Sequence, residues 1–453
     1  MTVAAKIDRS APTTATRRVA VVGGGASGTL VALNLLRTDD GVRVTIFEPT
    51  GRVGLGVAYG TADDRHLLNV RAGNMSALPD VPSDLLDWAR VSGTTFLPRR
   101  QYGAYLRDRL AALAGERLSI VTERVVDIAP AGGGFLVHEG SGAATRFDSV
   151  VLAHGNQAPG RLAVGGRGLP EAGWHIADPW QPWLDGLAPA ATVVLVGTGL
   201  TAIDVAVSVL DGRPERRVVM ASRHGLLPRP HIDCQSVAWV TPLPEGPLTA
   251  DGLAALFREQ VEAAAAHGVD WQHVVDGLRG PTQSIWARLP LPERRRFLER
   301  YARPWEVRRH RMAPEVAARL DSYRTAGRLR VVAGGITGLR ETSSYPLVTV
   351  GGEEITAHAV VNCTGPLTDV TRSDNPLLIA LLRRGLIAPD ELRLGLACTP
   401  RGEVLDAAGR VVPGLLTVGP PRKGTLFETT AIPEIRVQAV EVAGMVAARR
   451  RRS

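Results

Sequence analysis

The stretch Arg18-Val-Ala-Val-Val-Gly23-Gly24-Gly25-Ala26-Ser27-Gly28 decides the fold. An apolar strand runs into a glycine-rich turn, and the apolar run Leu30 to Leu36 continues it as a helix. The spacing has a physical cause: Gly23 permits the tight turn, Gly25 lets backbone approach a pyrophosphate, and Gly28 keeps the helix close to its strand. The helix start then offers unpaired N–H groups and the positive end of its dipole to phosphate. The same design returns at Thr192-Val-Val-Leu-Val-Gly197-Thr-Gly199-Leu200-Thr201-Ala202. Two such turns predict an α/β protein with two Rossmann-like dinucleotide-binding domains, and electron transfer between two bound nucleotides.

The next strand end separates the two sites. After the first turn the chain reaches Val42-Arg-Val-Thr-Ile-Phe-Glu48, a carboxylate about 20 residues beyond Gly28, placed to accept from a ribose 2′-OH and to repel a 2′-phosphate. After the second turn the equivalent strand ends Ala221-Ser222-Arg223-His224, with a hydroxyl and a cation in that place. This predicts FAD on the first turn and NADPH on the second, with Ser222 and Arg223 at the 2′-phosphate.

Composition narrows the class. A chain of 453 residues, 45% hydrophobic and 22% charged, suits two or three globular domains. The most apolar run, Val193 to Leu210, is interrupted by two glycines and Asp204, so no membrane partner is expected. Residues 1–17 read as a floppy leader without a signal-peptide core, and a cytoplasmic protein is expected. Cys234, Cys363 and Cys398 form no Cys-x-x-Cys pair, which argues against a disulfide reductase, and no metal-ligand spacing occurs. The net charge of +8 is spread along the chain without a nucleic-acid motif, so no nucleic-acid partner is expected; residues 448–453 read as a solvated basic tail. The positive field favours anionic cofactors and an anionic small-molecule substrate.

The units interleave. Short β-rich runs with a turn at Gly132-Gly-Gly134 lead to Val150-Val-Leu-Ala-His-Gly155, and a second strand of that type is Ala359-Val-Val-Asn-Cys-Thr-Gly365. Both resemble the apolar-strand-then-Gly signature that passes the chain between nucleotide domains in two-dinucleotide flavoproteins. The expected layout is an FAD domain at 18–165 and 340–447 split around an NADP domain at 166–339, which carries a helical insert at 249–330. Near the end a strand closes at Gly419, and a helix is expected from Thr430, Ala431 and Ile432, with Pro433 in its first turn. Its N-terminal amides would face the flavin pyrimidine, where negative charge gathers on reduction.

Several longer segments are more specific than the glycine turns: Gly54-Leu-Gly-Val-Ala-Tyr-Gly60, His66-Leu-Leu-Asn-Val-Arg71, Ser222-Arg-His-Gly-Leu-Leu-Pro228, Arg308-Arg-His-Arg-Met-Ala-Pro314 and Glu428-Thr-Thr-Ala-Ile-Pro-Glu-Ile-Arg436. From about residue 18 to 445 the chain resembles the bacterial FAD/NAD(P)-binding family of YdhS type, and more distantly the flavin-dependent N-hydroxylating monooxygenases. That resemblance implies bound FAD, NADPH as reductant and a two-domain flavoprotein. One departure is Pro420, which follows Gly419 where many such flavoproteins have Asp.

The expected chemistry is hydride transfer from NADPH to FAD, then reaction with O2 to a C4a-hydroperoxide that oxygenates a small amine or amino acid. The alternatives are a reductase or dehydrogenase feeding a quinone, an imine or a protein, and a non-catalytic FAD/NADP redox sensor. His66, Asn69 and Arg71 are the candidate polar contacts beside the cofactors, with Asn69 the candidate catalytic donor. The run Arg303-Pro-Trp305-Glu-Val-Arg308-Arg-His310-Arg311 is the candidate clamp for an anionic substrate.

Overall fold

The computed structural model describes residues 16–232 and 237–449. Most of the expected leader and basic tail, and Cys234, lie outside the described residues. Arg17 already opens the first strand, and Arg449 closes the last helix, Ile432–Arg449.

Two sheets repeat one plan. In the first, the strand Arg17–Val22 lies between Val42–Phe47 and Ser149–Leu152, with Val22 opposite both Phe47 and Leu152. Leu118–Val121 continues that sheet on one side; Val411–Thr417 and the antiparallel edge strand Glu403–Leu405 continue it on the other. In the second, Thr192–Val196 lies between Arg217–Ser222 and Ala359–Asn362, with Leu329–Ala333 and His175–Ile176 outermost. Both glycine-turn strands are therefore central and covered on both faces, which is why they read as unbroken apolar runs. Ligands of such sheets bind beyond the carboxyl ends of the strands, where strand order reverses.

Two antiparallel three-stranded sheets complete the units. Val125–Ala131, Gly134–Glu139 and Ala144–Phe147 form one, its first hairpin closed by Gly132 and Gly133 at φ +50° and +82°, a two-residue turn that needs left-handed backbone twice. Ile336–Arg340, Leu347–Val350 and Glu353–Thr356 form the other, packed on the second parallel sheet through Val348 and Val350 against Val194 and Val360. Here the domain reading needs correction. The expected return to the first unit at residue 340 comes later, because Ala359–Asn362 hydrogen-bonds beside Thr192–Val196. A fully buried Ala-Val-Val-Asn strand carries no mark of which sheet it will join.

The helical insert is also shorter than expected at its far end. Pro314–Thr325 is the crossover helix from Arg217–Ser222 to Leu329–Ala333, its Val316 and Leu320 packed in the core around Ala202 to Leu210. The insert proper spans the helices Ala250–Ala266 to Ala302–Arg309, and its small core of Leu248, Trp286 and Leu289 takes in Phe427 from the C-terminal segment. The insert therefore packs onto the first nucleotide unit as well as extending the second.

Candidate cofactor and active site

At the first turn the backbone leaves no room for side chains. Gly23 has φ +104°, and a Cβ there would lie 2.5 Å from the carbonyl oxygen of Ala153; a Cβ on Gly28 would lie 1.9 Å from the Gly23 oxygen. Gly25 is different: its nearest neighbour would be the Gly56 Cα at 3.5 Å, so the space before it is largely open. Among the described residues no side chain caps the helix Ala26–Thr38 that begins here, which leaves the amides of Ala26, Ser27 and Gly28 for an anion from outside. Glu48 reaches over the turn. Its Oε2 accepts from the Gly24 N–H at 3.1 Å, and its Oε1 accepts from the Thr50 N–H and hydroxyl at 3.1 and 2.8 Å.

The second turn copies this geometry. Gly197 has φ +125° and its Cβ would meet the Cys363 carbonyl oxygen at 2.3 Å, while a Cβ on Gly199 would meet nothing within 4 Å. That glycine answers to the space before it and not to the protein behind it. Leu200 and Thr201 open the helix Leu200–Leu210, which is likewise uncapped by a side chain. The Ser222 hydroxyl is engaged, bonded to the Thr198 hydroxyl at 2.9 Å and accepting from the Gly225 N–H at 3.1 Å, whereas Arg223 stands exposed just past the strand end. A residue the sequence did not single out for this turn also stands here. Arg303 donates to the Thr198 hydroxyl at 3.0 Å and to the Leu226 carbonyl at 2.7 Å. Burial first, and the charge of Arg223 after it, lower its pKa from the usual arginine value.

The three polar candidates of the 66–71 segment part company. His66 is buried with both ring nitrogens engaged, Nδ1 with the Thr61 hydroxyl at 2.8 Å and Nε2 with Ser208 Oγ at 2.8 Å and the Asp204 carbonyl at 3.1 Å. It ties the first unit to the helix Leu200–Leu210, which leaves it no free nitrogen for a cofactor. Arg71 donates to the carbonyls of Thr94 and Ile232 at 3.0 and 2.6 Å and lies over the Phe96 ring. Asn69 is held through its backbone, whose oxygen accepts from His231 Nε2 at 3.0 Å, while its side-chain amide makes no hydrogen bond among the described residues.

The C-terminal segment is positioned from both sides. A Cβ on Gly419, at φ +76°, would lie 2.5 Å from Ser27 Oγ, so the segment passes directly over the first turn. The expected helix starts at Ile432, with Thr430 and Ala431 just before it and Pro433 in its first turn. The insert clamps the approach: Glu428 accepts from Trp305 Nε1 at 3.0 Å and from Arg309 Nε at 2.8 Å, and Arg279 forks onto Glu434. The basic run thus goes four ways, Arg303 to the second turn, Arg309 to Glu428, Arg311 into a buried pair with Gln272 and Asp276, and Arg308 toward a cavity. On the other crossing strand Gly365, at φ +90°, has open space before it, and Gly155 occupies the same place after Ser149–Leu152.

His154 follows the strand Ser149–Leu152 beside Gly23; its Nε2 is buried and has no partner among the described residues. Burial pulls its pKa down to about 4, and His231 likewise to about 4; His310 is pulled to about 3 by burial and by Arg309, Lys423, Arg279 and Arg303 around it. Two of these four cations, Arg309 and Arg279, are paired with Glu428 and Glu434. All three imidazoles fold neutral but take a proton near pH 6.5 once unfolded. Their contribution to stability is full above pH 6.5 and is lost as pH falls toward 4. Chemical denaturation between pH 7.5 and 4.5 is expected to show a loss of several kcal/mol, of order 1.4 kcal/mol per unit per group at most; a flat profile would contradict the neutral assignments.

The donor sets fit two dinucleotides. Each turn combines open space before its second glycine, free helix amides and a strand-end group suited to a ribose. Among the described residues, Cys363 and Cys398 are free thiols that burial pushes above the usual range, no group of His, Cys, Asp or Glu could hold a metal, and no helix is long and apolar enough to cross a membrane. Comparison with known proteins agrees. Residues 20–157, which include the first turn, Glu48 and His154, match a family model described as FAD-NAD(P)-binding. The chain is 21% identical over 275 residues to the protein YdhS of Escherichia coli, a match that covers 51% of this chain and about half, 49%, of that relative. The ornithine hydroxylase PvdA of Pseudomonas aeruginosa superposes with a TM-score of 0.63 at 15% identity over 96% of this chain and 99% of that one. The ornithine N-hydroxylase of Kutzneria sp. 744, solved with reduced FAD, NADP+ and L-ornithine, superposes at 0.60 with 18% identity over 97% and 100%. Residues 20–157 carry the FAD-NAD(P)-binding match, and the whole chain has the α/β fold of a two-nucleotide flavoprotein, with both Rossmann-like units in place.

Proposed function

We propose that the protein is an NADPH-reduced, FAD-dependent monooxygenase acting with O2 on a small amine or amino acid. One observation carries this reading: two nucleotide cradles are joined by a clamped C-terminal segment whose far side closes an apolar cavity, with no paired thiols among the described residues to relay electrons. Bound FAD supplies hydride acceptance from the nicotinamide and activation of O2. The chain supplies the rest. The amides of Ala26 to Gly28 hold the FAD pyrophosphate, Glu48 accepts from the ribose hydroxyls, and the start of Ile432–Arg449 faces the pyrimidine. On the second turn Gly199, Leu200 and Thr201 receive the NADPH pyrophosphate, and Arg223, backed by Arg303, takes the 2′-phosphate. Asn69, whose amide is unspent, donates to the reacting edge. The insert keeps water from it.

The test is anaerobic reduction followed by O2. NADPH is expected to bleach the flavin, and oxidised absorbance to return in two phases on mixing with O2; a single-phase return with stoichiometric hydrogen peroxide would favour a reductase. In the same assay Arg223→Ala is expected to raise KM for NADPH by about 10- to 100-fold, since a charge-assisted contact contributes roughly 1.5–3 kcal/mol, and to leave NADH unchanged. Equal losses with both would remove Arg223 from the site.

A further inference from the structure

The insert and Phe427 line a cavity of about 540 Å³, partly open to solvent and within the range of small-molecule sites. Its wall is a rigid aromatic box. Trp286 stacks on Phe427 at 4.6 Å and 22°, Phe297 meets both edge-on, and Phe257 stands edge-on to Trp305 at 6.0 Å. Phe427 holds φ +23° to do so, a backbone conformation that a bulky residue keeps only where its surroundings enforce it. Most polar atoms of this wall are already used within the protein: Trp286 Nε1 donates to the Gly424 carbonyl at 2.9 Å, Trp305 Nε1 to Glu428, the Thr282 hydroxyl to the Leu278 carbonyl at 2.7 Å, and the Tyr301 hydroxyl to Asp251 at 2.6 Å; the Thr241 hydroxyl, buried without a partner among the described residues, is the exception. The body of a ligand therefore meets apolar surface.

Charge lines the same cavity. Arg258, Arg300 and Arg308 line the cavity, and among the described residues no Asp or Glu does. Arg258 and Arg308 donate only to carbonyls of their own helices, Ala254 and Pro304, and none of the three forms an ion pair among the described residues. The neighbouring carboxylate, Asp251, is held by Arg296 and Tyr301. A protonated amine would find three like charges here and no counterion among the described residues.

We infer that this cavity takes an amphipathic anion, an aromatic or medium-chain apolar body whose carboxylate, sulfonate or phosphate sits at Arg300 and Arg308. The inference rests on the monooxygenase reading only for its link to catalysis, since Phe427 lies five residues before the helix assigned to the flavin; binding itself is independent. Where a nitrogen is oxygenated, it is a neutral one within an otherwise anionic molecule. This departs from a free diamino acid, whose side-chain ammonium needs an acid that the described wall lacks.

Calorimetry on the protein as purified, with decanoate, 1-decanol and decyltrimethylammonium, separates the alternatives. Decanoate is expected to bind at least tenfold more tightly than decanol, and the cation more weakly than both; the cation is the probe that an aromatic box without the arginines would prefer. Arg300→Gln with Arg308→Gln is expected to remove the decanoate advantage and leave decanol unchanged, and Arg308→Lys alone to keep it. Ala254→Trp, which fills the cavity from the helix Ala250–Ala266, is expected to abolish all binding. Equal or tighter binding of the cation, no binding of any probe, or an unchanged decanoate preference in the double variant would each overturn the inference. Failure of the flavin reading looks different: the purified protein would lack FAD while the three probes still ranked as stated.

Discussion

Gly28→Ala is expected to yield protein with little or no FAD and a stability lower by about 3 kcal/mol or more, the upper end of what overpacking a closed site costs. The added carbon would stand 1.9 Å from the Gly23 oxygen and 3.0 Å from Val21 Cγ1, far inside contact. Nothing nearby can yield cheaply. Gly23 is pressed against the Ala153 carbonyl on its other side, and Val21 belongs to the central strand of a sheet covered on both faces. The helix Ala26–Thr38 would have to move instead, yet it is buried along most of its length and packs on the helix Ile432–Arg449. Displacing it carries its first amides away from the pyrophosphate, so cofactor and stability are lost together. The second turn provides the control: its equivalent residue is already Ala202, fully buried, so that helix stands off by one methyl group. Ala202→Gly is expected to cost only about 1 kcal/mol, the propensity difference. Flavin-to-protein absorbance ratios and urea midpoints check both, and normal FAD content in Gly28→Ala would show that the helix is less firmly held than its burial implies.

The contrast between Gly28 and Ala202 shows what a sequence displays. Gly23, Gly197 and Gly419 were legible because a positive φ or a 2–3 Å approach admits one residue type, and that constraint acts within a few residues of chain. The strand-end positions of Glu48 and Arg223 were legible for a related reason, since the end of the strand beside each turn is fixed once the turn is; their contacts to a cofactor remain proposals. The partnerships that build the rest are remote. His66 looked like a cofactor contact because its polar-apolar alternation is local, whereas its partners Asp204 and Ser208 lie more than a hundred residues away. Likewise Ala359–Asn362 shares with Ser149–Leu152 a fully buried Val-Val pair, yet joins the other sheet. The basic run read as one clamp, but the helix Ala302–Arg309 and the turn after it send Arg303, Arg308, Arg309 and Arg311 to four different surroundings. No window of sequence contains the cavity, since its walls come from both ends of the insert and from Phe427.

Arg99→Leu is expected to cost about 3–5 kcal/mol, because it strands a buried carboxylate at the junction of the two nucleotide units. Arg99 Nη2 lies 2.9 Å from Asp204 Oδ2, both side chains are largely buried, and Arg99 Nε also donates to the Leu67 carbonyl at 3.2 Å. Asp204 sits in the helix that the second turn opens, so this pair and the His66–Ser208 bond together hold that helix against the first unit. Burial already raises the Asp204 pKa against the pull of Arg99. An acid raised in the folded state stabilises below its unfolded pKa and loses that contribution as pH rises through the folded value; without Arg99 the folded value climbs further and the loss grows. The variant is therefore expected to gain stability, relative to the parent protein, as pH is lowered from 8 toward 5, the opposite trend to that set by the neutral histidines. Arg99→Leu with Asp204→Asn removes the charge and is expected to recover much of the deficit at pH 8, leaving a remainder of about 1–2 kcal/mol for unsatisfied amide and carbonyl groups. A deficit equally large in the double variant and independent of pH would assign Arg99 to packing alone, and would leave the His66 network as the device that fixes one nucleotide unit against the other.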